Sequence, residues 1–385
     1  MSIRMKLKVL SMNLVNESQI EAFENARQTR DARFDGKFFI AVRTTGIYCR
    51  PICRVRMPKV ENITLYVSAA AATEAGYRPC LRCRPEAAPG TPAWSGTSTT
   101  VKRGLRLISE GALDEQSIEE LSDKLGVTSR HLGRLFNQHL GVSPQAIAQT
   151  RRLHFAKKLI SETGLPMTEI AMSSGYGSVR RFNDHIRKVY NRSPTLLRNK
   201  RSVDADAGVK LRLPYREPFD FDGMLAFLAM RAVPQIESIV EGAYVRTLQI
   251  DGETGLLNVS QDVENRCLIC KVELTNTRPL MKVVEKVRTL FDLDADPSEI
   301  NQCLGENGEL TDLIAENPGQ RLPGAWDPFE VAVRAIVGQQ VSVKGATTVM
   351  SRIVDRYGER IGETVLFPTP ESLAALSVEN LSMPN

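Results

Sequence analysis

The stretch FFIAVRTTGIYCRPICRVR at residues 38–56, with its companion AGYRPCLRCRP at residues 75–85, decides how the front of this chain folds. Cys49 and Cys53 form one close pair, Cys80 and Cys83 a second, and a loop-length insert separates them. Each short spacing lets one turn present two sulfurs, and two such turns complete a tetrahedron. The pattern predicts a tetrathiolate zinc site in which the metal keeps all four sulfurs deprotonated. On spacing alone the site is either a structural staple or a reactive centre, because a zinc-bound thiolate stays nucleophilic at neutral pH.

The rest of the composition frames that cluster. The chain has 385 residues, 42% hydrophobic and 25% charged, with a net charge of +5. This length suits about two to four domains, and the balance excludes wholesale disorder, a collagen repeat or a disulfide-rich miniprotein. No apolar run approaches the roughly 18 residues of a membrane span. The amino-terminal MSIRMKLKVLSMNLVNES starts basic, but Ser11, Asn13 and Asn16 break its apolar patch, which argues against a secretory signal. Seven cysteines without a signal point to the reducing cytoplasm, where clustered thiols serve metals. Residues 1–90 carry 15 Lys and Arg against 8 Asp and Glu, residues 91–200 carry 17 against 9, and residues 201–385 carry 18 against 28. A basic front joined to an acidic back suggests nucleic-acid contact through the front; an unevenly charged solvated surface is the plainer reading.

Two stretches read as linkers: AAPGTPAWSGTSTT at 87–100 and RNKRSVDADAG at 198–208. A softer break falls at 317–320, Asn-Pro-Gly-Gln. The expected units are 1–90, 101–198, 209–317 and 319–385. In the second, Ser117 and Glu120 form a capping box for a helix over 118–125. Gly126 breaks it, Thr128 or Ser129 restarts it, and Leu132, Leu135, Phe136 and Leu140 follow a helical stripe. The helix, glycine turn, helix unit recurs around Gly175, with Val179, Phe182, Ile186 and Tyr190. Both copies end alike, in Val142-Ser-Pro144 and Arg192-Ser-Pro194. The four histidines, all in this unit, show no metal spacing and read as surface or packing residues. Beyond Val209, alternating runs at 243–250 and 266–274 predict antiparallel strands. Cys267 and Cys270 sit three apart on one of them, so they face opposite sides.

The cysteine-bearing stretch, over about residues 30–86, closely resembles the zinc domain of the Ada family of DNA alkylation-repair and response regulators. The resemblance implies that Cys49 is both zinc ligand and methyl acceptor, taking the methyl from an Sp methylphosphotriester in DNA. Cys53, Cys80 and Cys83 are then supporting ligands, and Thr45, Arg56 and Arg78 are DNA contacts. Methylating one sulfur lowers the site's negative charge, so DNA affinity rises. Arg43, Arg50, Arg54, Arg56, Arg78, Arg82 and Arg84 supply phosphate attraction. The C–S bond formed resists hydrolysis, which implies one turnover per molecule.

The paired helical units resemble the AraC-type DNA-binding domain. That implies major-groove readers Ser129, Arg130, His131 and Arg134 in the first unit, and Ser178, Val179, Arg180 and Arg181 in the second. A helical bundle that binds a protein is the alternative. The back half resembles AlkA-type 3-methyladenine DNA glycosylases: an α+β domain, then Arg321-Leu-Pro-Gly-Ala-Trp-Asp-Pro-Phe329 and Val333-Arg-Ala-Ile-Val-Gly-Gln-Gln-Val-Ser342. The resemblance implies minor-groove contact by Gln339 and Gln340, with Gln340 where relatives carry a leucine wedge. The family's helix-hairpin-helix and catalytic aspartate are missing, and Asp327 and Asp355 stand in the wrong motif context. A truncated gene or partial record is the simplest source. The expectation is helices at about 328–340 and 343–358 with exposed apolar faces, weak stability there, and no base excision.

The expected fold is therefore multidomain α+β: a small zinc-binding α/β domain, an all-α double helix-turn-helix, an antiparallel α+β domain, and the start of a helical glycosylase domain. The expected protein is a cytoplasmic, nucleoid-associated bacterial one that repairs methylphosphotriesters stoichiometrically and activates repair genes. Its cofactor is Zn²⁺ alone. Its partners are damaged and promoter double-stranded DNA and RNA polymerase, with no membrane. The family's second methyltransferase domain, for O6-methylguanine, is absent. Two rivals stand beside this: a glycosylase with regulatory front domains, and a transcription factor with purely structural zinc.

Overall fold

The computed structural model describes residues 17–85, 99–198, 208–306, 308–362 and 364–376. Residues 1–16, nearly all of the stretch read for a signal, and most of both linkers (86–98 and 199–207) lie outside the described residues. Among the described residues, no helix is long and apolar enough to cross a membrane.

The front unit opens with α1 (Glu17–Thr29) and builds a four-stranded sheet from β1 (Phe39–Val42), β2 (Ile47–Cys49), β3 (Ile63–Tyr66) and β4 (Arg78–Pro79), in the order β3-β1-β2-β4. β1 pairs antiparallel with β2 and β3, while β2 and β4 run parallel. That single parallel pairing positions the site. Cys49 ends β2 and Cys80 follows β4, so both cysteine turns leave the sheet at the same end; the Cys80 N–H donates to Tyr48 O at 2.9 Å. Between β3 and β4, α2 (Ala69–Glu74) starts at Ser68, whose hydroxyl caps it, and buries Ala69–Ala72.

The middle unit begins with α3 (Thr99–Ser109), so Thr99 and Thr100 are helical rather than linker. α4 (Ala112–Glu115) leads to α5 (Ile118–Leu125), whose Ser117–Glu120 capping box is formed as expected. Gly126 takes φ +69°, which a Cβ would strain. Thr128, not Ser129, then caps α6 (Ser129–Leu140). The long α7 (Pro144–Glu162) connects to the second copy, α8 (Met167–Ser173) and α9 (Val179–Tyr190), closed by α10 (Pro194–Leu197). Both Ser-Pro repeats place Ser at the cap and Pro in the first turn, where a missing N–H costs nothing.

The third unit is a five-stranded antiparallel sheet, β5-β9-β8-β7-β6, from β5 (Val209–Pro214), β6 (Glu237–Val240), β7 (Ala243–Ile250), β8 (Glu253–Asp262) and β9 (Cys267–Leu274). α11 (Phe221–Ala229) and α12 (Leu280–Leu290) cover it; Leu280, Val283, Val287 and Leu290 give α12 its buried stripe. α13 (Pro297–Gly305) and α14 (Thr311–Glu316) follow. One continuous apolar core joins this sheet to the second helix-turn-helix copy, with Phe155, Leu159, Ile170 and Phe182 meeting Leu211, Leu213, Val284 and Phe291. Sequence patterning showed separate units; burial fuses two of them.

The softer break at 317–320 is packed rather than open. Gly319 backs onto Pro218 and Phe219, where a Cβ would lie 2.7 Å from backbone, and Trp326 belongs to the sheet's core. Then come α15 (Pro328–Val337), α16 (Val343–Tyr357), the short pair β10 (Arg360–Ile361) and β11 (Thr364–Val365), and α17 (Pro370–Ala374). Met350 and Val354 bury against Val233, Ile236 and Val365, while Val331, Ile336, Val341 and Val343 stay exposed, as the apolar patterning predicts.

Candidate metal centre and nucleic-acid interface

The sulfurs of Cys49, Cys53, Cys80 and Cys83 all lie within 4.8 Å of one another. A tetrahedral zinc with bonds near 2.3 Å sets sulfurs about 3.8 Å apart, so the set fits. Cys49, Cys53 and Cys80 are buried and Cys83 is half-buried, with Ile47 and Val55 packed beside them. The Arg50 N–H donates to Cys83 Sγ at 3.3 Å, and backbone groups of Val55 and Cys83 support Cys53 and Cys80. Without metal the crowded sulfurs share protons. Hydrogen bonding from Cys49 brings the Cys53 thiol down to about 7, and Cys49 and Cys53 push Cys80 down. Cys49 and Cys83 are pushed up, each chiefly by hydrogen bonds to its neighbouring cysteines. A divalent cation replaces those shared protons with one charge that suits all four thiolates. The four sulfurs form a zinc site.

The arginines around it divide into two kinds. Arg54, Arg56 and Arg82 are exposed and open to phosphate. Arg50 and Arg84 turn inward instead: Arg50 pairs with the buried Asp35, and Arg84 donates to Glu162 at 3.0 Å. Arg43 is exposed but donates to Glu61 O. Thr45 is exposed in the β1–β2 turn, and half-buried Arg78 sits opposite Ile47 in β4, its N–H on Gly46 O at 2.8 Å. Thr45 and Arg78 thus lie near the start of β2, at the other end of that strand from Cys49, while Arg56 lies beyond the first cysteine turn. A small cleft of about 30 Å³, lined by Arg30, Val42, Cys49, Arg50 and Met57, opens beside Cys49.

In α6, Arg130 and Arg134 are exposed, Ser129 and His131 half-buried, and Arg134 Nη2 lies 3.1 Å from His131 Nδ1. Leu132, Phe136 and Leu140 are fully buried beneath them. In α9, Arg180 and Arg181 are exposed. Ser178 and Val179 open the helix half-buried. The Ser178 hydroxyl accepts the Arg181 N–H as a cap, and Val179 packs on the core. α9 also packs against β4 of the front unit. Gln339 and Gln340 occupy the exposed turn between α15 and α16, with Gln340 at φ +63°, a conformation unusual for a residue with a Cβ.

Several residues carried no signal in sequence. Tyr48 Oη lies 2.9 Å from His154 Nε2, tying β2 to α7. His185 meets Tyr176 in the same way, and burial lowers its pKa. The Asp35 and Glu162 side chains are nearly closed to water and anchor Arg50 and Arg84. Cys267 and Cys270 are buried on β9; burial pushes their thiols up to about 11 and about 12, leaving them inert at neutral pH.

Three family models match the chain: the metal binding domain of Ada at residues 22–86, a helix-turn-helix domain at 121–200, and the AlkA N-terminal domain at 210–327. A probable bifunctional transcriptional activator/DNA repair enzyme AlkA of Mycobacterium tuberculosis (strain ATCC 25618 / H37Rv) is 42% identical over 371 residues, covering 93% of this chain and 74% of that protein. The chain belongs to this AlkA family of bifunctional activator/DNA repair proteins. Its AlkA-like part is also 36% identical over 172 residues to DNA-3-methyladenine glycosylase 2 of Escherichia coli (strain K12), covering 44% of this chain and 59% of that enzyme. Its Ada-like part is 35% identical over 147 residues to the bifunctional transcriptional activator/DNA repair enzyme Ada of the same strain, covering 38% and 40%.

Proposed function

We propose that this protein removes methyl groups from DNA methylphosphotriesters onto Cys49 and, once methylated, binds promoter DNA and activates repair genes. The observation that carries it is the cluster of four sulfurs gathered where the parallel strands β2 and β4 end. Bound zinc supplies a thiolate at neutral pH. The Cys49 Sγ attacks the methyl carbon of an Sp phosphotriester; the C–S bond forms, the C–O bond breaks, and the phosphate diester leaves with the electron pair. Cys53, Cys80 and Cys83 hold the cluster. Exposed Arg54, Arg56 and Arg82 bind flanking phosphates. The thioether no longer carries the thiolate's charge, so a site near −2 becomes one near −1 and repels the backbone less.

Promoter reading falls to Arg130, His131 and Arg134 on α6 and Arg180 and Arg181 on α9, which project from capped, well-packed helices. Recruitment of RNA polymerase completes activation in this reading. Base excision finds less support: the Asp327 side chain caps α15, and Asp355 accepts from Gln235 at 3.0 Å, so neither is poised in a base pocket. Transfer of labelled methyl from phosphotriester DNA, limited to one equivalent, with a matching gain in promoter affinity, tests the proposal. Label retained on DNA by the zinc-loaded protein would leave a structural zinc site on a transcription factor.

A further inference from the structure

The residue directly after Cys49 and the residue directly after Cys83 are both arginines, and both point into the molecule. Arg50 donates through Nε to Asp35 Oδ1 at 2.8 Å, through Nη2 to Asp35 Oδ2, and through Nη1 to Cys83 O at 3.1 Å. One side chain thus laces the first cysteine turn to the second. Arg84 Nη2 donates to Glu162 Oε1 at 3.0 Å, at the buried end of α7. Each of these acidic residues is gripped in turn by the same short segment of the α+β domain. The Arg212 N–H donates to Glu162 Oε2 at 3.0 Å, and Lys158 bridges Glu162 and Arg212 O. Arg216, 4% exposed, donates through Nη2 to Asp35 O at 3.1 Å and through Nη1 to Asp294 O at 2.9 Å. Lys37, two residues past Asp35, pairs with Asp296 and, at 3.0 Å, with Glu299.

We infer that the 212–216 segment of the AlkA-like domain is a positioning element for the methyl-acceptor centre, setting through Asp35–Arg50 and Glu162–Arg84 how the two cysteine turns face each other. The inference rests on the methyl-transfer reading above. Arg216 touches no reacting atom. It fixes Asp35, Asp35 fixes Arg50, and Arg50 fixes the Cys49 turn against Cys83. Burial pushes the Glu162 carboxyl up, but Lys158, the Arg212 N–H and Arg84 outweigh it, so Glu162 stays ionised at the junction. The AlkA-like domain therefore acts on the front unit through these contacts. Coupling of this kind is reciprocal, so a change at the cysteines is felt at 212–216.

The test uses the full zinc-loaded chain. Single-turnover methyl transfer is followed across phosphotriester DNA concentrations, and zinc release to a chromophoric chelator is timed in parallel. Arg216→Met should lower the maximal transfer rate about tenfold with the half-saturating DNA concentration unchanged, and should speed zinc release about tenfold. Arg216→Lys should recover part of both. Glu162→Gln probes the second arm separately and should shift both readouts the same way, so it decides the matter if Arg216→Met fails to fold. Parental transfer and zinc-release rates in the folded variants would overturn the inference. If the parent chain takes up no methyl, the functional reading fails, and the zinc-release comparison alone decides this one.

Discussion

Replacing Glu330 by glutamine should loosen α15 from the sheet by about 3 kcal/mol. Glu330 Oε2 lies 2.9 Å from Arg246, and Arg334 reaches both Glu330 at 2.7 Å and Glu237 at 2.6 Å. Arg246, Glu237 and Glu330 are nearly closed to water, and Tyr244 donates to Glu237 at 2.5 Å. Two arginines and two glutamates balance. Neutralising one glutamate leaves an uncompensated buried cation, and breaking such a pair costs about 3–5 kcal/mol. The substituted amide would still accept one hydrogen bond and Arg334 is partly exposed, which places the loss at the low end. Trp326 lies 4.7 Å from the Arg246 guanidinium and reports on the cluster. Urea unfolding followed by its emission, in a Trp94→Phe background, reads the shift directly. Burial pushes the Glu330 carboxyl up, but Arg246 and Arg334 hold it below its ordinary value. Its stabilisation is therefore complete above the unfolded carboxylate pKa of about 4.3 and fades as pH falls through the lowered folded value, so parent and variant should converge in acid. A shift under about 0.5 kcal/mol at pH 7, or a Glu330→Gln/Arg246→Met pair that costs the full sum of the single losses, would refute the reasoning.

Four further outcomes follow from the geometry. Leu132→Ala, which hollows the core under α6, should cost about 2–5 kcal/mol by thermal or urea unfolding; Arg134→Ala should leave stability unchanged and weaken promoter binding, with the salt slope falling by about 1. Methylation at Cys49 removes one negative charge, and for a phosphate about 6 Å away that is worth about 0.7–3 kcal/mol, or roughly 3- to 100-fold in affinity; fluorescence anisotropy at two salt concentrations should show the gain shrinking as salt rises. Cys80→Ser should lose zinc, seen by metal analysis, and collapse the near-UV signal of Tyr48 and Tyr77 while leaving the Trp326 emission in place.

The parts legible in sequence were those set by local chemistry. Two cysteine pairs announced the metal site, because spacing within a turn fixes where sulfurs point. Ser117 with Glu120, and Gly126 and Gly175 between apolar stripes, announced the helix-turn-helix copies, because caps and left-handed turns have few alternatives. Alternation announced the antiparallel sheet. What stayed hidden depends on contacts far apart in the chain. Nothing in Arg50 or Arg84 distinguishes an inward arginine from one that meets phosphate; only Asp35 and Glu162, 15 and 78 residues away, decide it. The shared core of α7, α9 and the sheet was hidden for the same reason, since a polar linker conceals which surfaces its neighbours cover.

The central claim is that Cys49 is consumed as a methyl acceptor. Intact mass and peptide mapping of the zinc-loaded chain after incubation with methylphosphotriester DNA test it most directly. The account predicts one added methyl per molecule, on the peptide carrying Cys49, and none in Cys49→Ser. An unchanged mass in a folded, zinc-replete protein, or a methyl on another residue, would contradict it.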